Sequence, residues 1–133
     1  MIRKSVVKEG GNREGRKIMN RDSFCKIYIF SNLDYDNLFN LILKRVNGKK
    51  EAISCIRSDW CEACLTKNKE YLEEYYLSNK EDFIYWNYEL DIEASENTGI
   101  ADFSYIKKIR ELIICLRDFC DGVVASCDFE EFL

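Results

Sequence analysis

Proline and histidine are both absent from these 133 residues. Without histidine the chain lacks the commonest general base at neutral pH and the commonest metal ligand, so any acid–base or metal chemistry would fall to carboxylates and thiols. Without proline no active site built on a cis-prolyl bond is available. No apolar run approaches the roughly 18 residues of a membrane-spanning helix, and the N-terminus has no apolar leader core, so a cytoplasmic location without a membrane partner is expected. A glycine-rich phosphate loop and a nucleophile motif are also missing. No catalytic residues, cofactor or metal are expected, and the chain does not read as an enzyme.

What remains is enough for one folded domain, with 47% hydrophobic residues to supply a core. Seven cysteines are many, but an odd number in a chain without a leader reads as reduced, mostly buried thiols rather than a disulfide framework.

The stretch Asp82–Glu93 organises the rest. Ile84, Trp86, Tyr88, Leu90 and Ile92 alternate with Phe83, Tyr85, Asn87, Glu89, Asp91 and Glu93, the period-two pattern of a long strand with one buried and one wet face. The wet face is aromatic at its start and carries three carboxylates toward its end, which suits a cationic partner.

Residues 1–24 differ in character. Met1–Ile18 holds six basic and two acidic residues and no apolar periodicity, as expected of a disordered extension, and a basic arm for nucleic acid is one reading of it. Lys8-Glu9-Gly10-Gly11 and Arg13–Lys17 also read like a translated purine-rich ribosome-binding sequence, which makes Met19 the expected natural start. Without residues 1–18 the 20 basic and 24 acidic residues become 14 and 22, a net charge of −8. A domain so acidic repels phosphate, so nucleic acid is not an expected partner.

Residues 25–133 read as a single α+β domain. Lys26–Phe30 is a short strand; Tyr35–Asn47 is a helix with Leu38, Leu41, Ile42 and Val46 on one face and Gly48 at its left-handed cap. Glu51–Arg57 is a second strand, and 58–81 is an insertion with a short helix or irregular segment over Leu65–Leu77. The long strand at about 83–94 follows. Asp102 then caps a helix over Phe103–Phe119 with the buried stripe Ile106, Ile109, Leu112, Ile113 and Leu116, closed by Gly122. Val123–Cys127 is the last strand, and Asp128–Leu133 an acidic tail. This order predicts a ferredoxin-like βαβ-βαβ sandwich, one antiparallel sheet with two helices on one face.

Trp60-Cys61-Glu62-Ala63-Cys64 resembles the redox signature of thioredoxin-like proteins, but the cis-proline and the order of elements of that fold are missing. The same pair would be half of a zinc site with Cys115, Cys120 or Cys127, although no second C-x-x-C exists. Cys25, Cys55 and Cys127 read as small hydrophobes in or beside strands. Asp34/Asp36 read as helix-start chemistry, and Glu89/Asp91 as a solvated face, ahead of paired catalytic carboxylates.

Lys26–Asn32, Ser58-Asp59-Trp60, Asp82–Trp86 and Val124–Glu130 together resemble a family of small acidic bacterial immunity proteins encoded beside polymorphic toxins. The resemblance covers most of Lys26–Leu133 and its motifs describe strands. It implies a cytoplasmic protein that binds and neutralises one cognate toxin domain, expected to be basic. From the residues themselves, the expected contact surface is Tyr85, Glu89, Asp91 and Glu93 on the wet strand face, with Asp128, Glu130 and Glu131 near the tail. A thiol-redox or small-ligand-binding regulatory domain is the alternative.

Overall fold

A computed structural model of the chain describes residues 21–68, 82–95 and 99–133. Among the described residues the fold is α+β: an antiparallel six-stranded sheet and two α-helices. In chain order the elements are β1 (Cys25–Phe30), α1 (Tyr35–Val46), β2 (Lys49–Ala52), β3 (Cys55–Arg57), β4 (Cys61–Lys67), β5 (Tyr88–Ala94), α2 (Phe103–Phe119) and β6 (Gly122–Cys127). The sheet order is β2-β3-β4-β5-β1-β6. Both helices cover one face, where Cys25, Ile27 and Ile29 of β1, Leu90 and Ile92 of β5 and Ala63 and Leu65 of β4 lie buried against Leu38, Ile42, Ile106, Ile109 and Leu116.

Both helices form where the periodicity places them, because each start is capped. The Asp34 carboxylate accepts from Asn37 N at 2.8 Å, and that of Asp102 from Tyr105 N at 2.8 Å. Their ends differ from expectation. Asn47, not Gly48, takes the left-handed conformation (φ 57°) after α1, because asparagine tolerates it. Gly48 is needed for space instead: a Cβ there would lie 2.5 Å from the Ile56 side chain. Helix α2 ends on Cys120 in extended conformation, and Gly122 opens β6. A Cβ at Gly122 would meet the Trp86 ring at 2.5 Å, so this glycine is a seat for an indole.

The middle of the chain departs most from the predicted order. Residues 51–57 form a hairpin rather than one strand: β2 pairs with β3 around Ile53-Ser54, and only Ile56 reaches the core. Lys49, Lys50, Glu51 and Ala52 have little to bury and settle as a charged edge. The first part of the expected insertion is strand β4, with Cys61, Ala63 and Leu65 inward and Glu62, Cys64 and Thr66 outward. The rest of the expected 65–77 helix lies outside the described residues beyond Asn68. Cys55 and Cys64 face each other across β3 and β4 with Cα atoms 4.1 Å apart and are joined by a disulfide, where seven reduced thiols were expected. Directly opposed residues on adjacent strands bring their side chains together on one face.

The alternating stretch is strand only in its second half. Phe83–Tyr85 is a turn of 3₁₀ helix, because β1 ends opposite Tyr88 and leaves the earlier residues without a ladder partner. Asn68 and Asn87 take up the backbone instead. The Asn68 amide donates to Ile84 O (2.8 Å) and Trp86 O (2.7 Å), and that of Asn87 bridges Ser31 N and O. Ile84 is consequently exposed, and Trp86 leaves the core face for Gly122.

Residues 1–20 of the expected extension lie outside the described residues, but Arg21–Phe24 belong to the fold. Ser23 is buried, Asp22 bridges Ile100, and the Tyr105 hydroxyl donates to Ser23 O at 2.8 Å. The C-terminal residues are equally integrated. Phe129 is fully buried, edge-on to Tyr105, and Arg110 donates to Phe132 O. Phe129→Ala should lower unfolding free energy by about 3–5 kcal/mol, whereas Glu130→Ala, which removes only an acceptor for Cys127 N, should cost about 0.5–2 kcal/mol; denaturant titration measures both.

Candidate interaction surface

The sheet face opposite the helices carries the polar side chains of every central strand. Across it run Arg57 and Cys55 on β3, Glu62, Cys64 and Thr66 on β4, Glu93, Asp91 and Glu89 on β5, and Lys26 and Tyr28 on β1, each opposite its neighbour in register. Glu89, Asp91 and Glu93 thus lie together on the outer face. Glu62, which the alternation of β4 places directly opposite Glu93, extends their row. Like charges so placed repel, and among the described residues two cations form ion pairs with the row.

Lys26 is one of these cations. Its ammonium lies 2.9 Å from Asp91 Oδ1 and 3.2 Å from Glu89 Oε1. Burial opposes the charge on Lys26, but the two carboxylates outweigh it and raise its pKa. Arg57 is the other, 2.8 Å from Glu51 and 2.6 Å from Glu62. These partly exposed pairs each contribute about 0–1 kcal/mol, so they organise the face more than they stabilise the fold. Glu93 is exposed and makes no ion pair among the described residues.

An aromatic group borders the row. Phe83 packs on Tyr28 (ring centroids 5.0 Å apart) and edge-on to Trp86 (6.3 Å), and Tyr85, in the same 3₁₀ turn as Phe83, is half-buried. The expected tail residues do not join this surface. Glu131 makes a two-pronged ion pair with Arg21 (2.9 Å at both oxygens), the Asp128 carboxylate accepts from Asp22 N, and that of Glu130 from Cys127 N. The tail is drawn toward α2, and its carboxylates close the fold. Sequence reasoning did not single out Lys26, Arg57 or Glu62; alternation in β1 and β4 was the signal for two of them.

The cysteines are arranged differently from the C-x-x-C reading. Cys61 and Cys64 point to opposite faces of β4: Cys61 is in the core, and Cys64 is bonded to Cys55 on the outer face. Burial pushes the Cys61 thiol up to about 11, against a hydrogen bond with Ser58 that lowers it. Among the described residues no group of three or more Cys, Asp or Glu side chains is arranged to hold a metal ion. Comparison of the chain with family models, curated proteins and solved structures gives no match.

The Cys61 thiol ionises near 9.0 when unfolded and at about 11 when folded. Its contribution to stability is therefore intact below pH 9 and is lost as pH rises through 11. The slope corresponds to about 2–3 kcal/mol in all. Cys61→Ala should flatten the fall in unfolding free energy over this window by that amount, read by calorimetry at pH 8 to 11.

Proposed function

We propose that this protein is an immunity-type inhibitor that binds and neutralises a cognate basic toxin domain in the bacterial cytoplasm through the outer face of its sheet. The observation that carries the reading is the juxtaposition on that face of a carboxylate row, Glu62, Glu89, Asp91 and Glu93, with the aromatic group Tyr28, Phe83 and Trp86. Half-buried aromatics supply area that can be desolvated at low entropic cost, and a carboxylate row gives association rate and specificity toward a cationic surface. The likeness to small acidic immunity proteins supports the same conclusion. We also read β4-β5-β1-β6 with α1 and α2 as a ferredoxin-like plan with the β2–β3 hairpin added at one edge, a plan that leaves one sheet face for a partner.

A second reading, a small-ligand-binding domain, draws on a cleft of about 420 Å³ lined by Asp59, Trp60, Ile100, Asp102, Tyr105 and Lys108, within the size range of ligand pockets. The two readings separate by experiment. Each protein encoded beside the gene is expressed with the chain, and binding is measured by calorimetry at low and high salt. The inhibitor reading expects one basic partner whose affinity falls with salt. Glu93→Lys, which breaks no ion pair among the described residues, should weaken that complex at least about tenfold and flatten its salt dependence. Unchanged affinity would move the interface off this face.

A further inference from the structure

We propose that Cys55 and Cys64 form a redox-modification site at which a cellular dithiol reduces the disulfide, releasing the β2–β3 hairpin from β4 and uncovering Glu62.

The disulfide lies on the sheet face that the helices do not cover, and both cysteines are half-buried rather than enclosed. A thiolate can therefore reach it. In the exchange, one thiolate of the dithiol attacks a sulfur of the pair, and the other cysteine leaves as a thiolate and takes a proton. The second thiol of the reagent then attacks the mixed disulfide and releases the first cysteine. Two electrons pass to the cysteine pair, and the dithiol departs as its own disulfide.

The hairpin has little else to hold it. All four residues of β2 are exposed, β3 is three residues long, and Ile56 is its one fully buried side chain. Beyond the short ladder its attachments among the described residues include the Leu65 N–H donated to Ser54 O (2.9 Å), the Ser58 N–H donated to Cys61 O (2.9 Å), the Arg57–Glu62 ion pair and Lys50 over the Phe39 ring. Segments with few buried apolar contacts open at low free-energy cost, and the covalent link is what prevents it here. Opening also changes the charge of the outer face. Arg57 travels with the hairpin, so Glu62 loses its counter-charge and joins Glu93 as a carboxylate without an ion pair among the described residues, beside Asp91 and Glu89, which share Lys26.

The chain carries its own control. Cys25 and Cys127 are also directly opposed, on β1 and β6, yet both are free thiols on the core face and Cys25 is fully buried. With no disulfide to reduce there, alkylation of the fully buried Cys25 reports opening of the core rather than reduction, because access limits it.

The effect on partner binding rests on the inhibitor reading; the opening does not, and it is tested on the full chain alone. Oxidised protein is treated with dithiothreitol under native conditions, alkylated with iodoacetamide and mapped by mass spectrometry, with hydrogen exchange followed in parallel. Label should appear on Cys55 and Cys64 before Cys25, and amides of residues 50–57 should exchange at least about tenfold faster after reduction, while those of β1 and β5 hold. Cys55→Ala/Cys64→Ala should show the fast exchange without reductant; should that variant not fold, reduced wild-type protein carries the same test. A pair that resists dithiothreitol until the protein is denatured, or unchanged exchange over 50–57 after reduction, overturns the proposal. Fast exchange in a protein that binds none of its neighbours' products would sink the inhibitor reading and leave the redox site standing.

Discussion

Strand β1 pairs with β5 on one side and β6 on the other, and the parity of that pairing decides where every other side chain goes. Cys25, Ile27 and Ile29 must face the helices, because a slip of one residue would turn these three side chains to water and bring the Lys26 ammonium and the Tyr28 hydroxyl into the core. Once they are placed, Lys26 and Tyr28 have no option but the outer face. Lys26 then stands opposite Asp91, and Tyr28 opposite Glu89. The carboxylates and the aromatics of the candidate surface are thus neighbours for the same reason that the core is apolar. Arg21, Ser23 and the buried Phe129 secure the two ends of this arrangement, joining the entry to β1 with the exit from β6.

The candidate surface is electrostatically tense. Four carboxylates on two adjacent strands are held against one ammonium and one guanidinium, and Glu93 stays uncompensated among the described residues. A fold seeking only stability would alternate the signs across β4 and β5. A basic partner of the kind proposed would relieve this repulsion on contact, and part of the repulsion in the free protein would be returned as affinity.

Legibility in the sequence followed the strength of the local pattern. Both helices were readable, since their apolar stripes and capping aspartates agree, and β1, β6 and the outward direction of Glu89, Asp91 and Glu93 were readable from alternation. Strand β4 was not, because Cys61 and Ala63 are small and weakly hydrophobic, and their alternation is hard to tell from a polar loop. The hairpin was hidden by Ile53, an apolar residue that sits exposed at a turn. Trp86 was misplaced because alternation assumes that a ladder partner exists at every position, and here β1 runs out first. The tail read as an acidic part of the contact surface, since its one fully buried residue, Phe129, lies among carboxylates. The disulfide depends on a pairing between strands that spacing along the chain does not reveal.

The hairpin also has a meaning for how molecules of this protein meet one another. Strand β2 is short, bears Lys49, Lys50 and Glu51, and is interrupted by a register shift before Ala52; such a border offers a poor template to a foreign strand. Beneath it, β4 is seven residues long. With the hairpin in place, that longer strand is shielded by a sacrificial rim. If the rim lifts, a row of unpaired amides and carbonyls on β4 becomes available to another chain, so the same latch that shapes the carboxylate face also governs the protein's colloidal solitude.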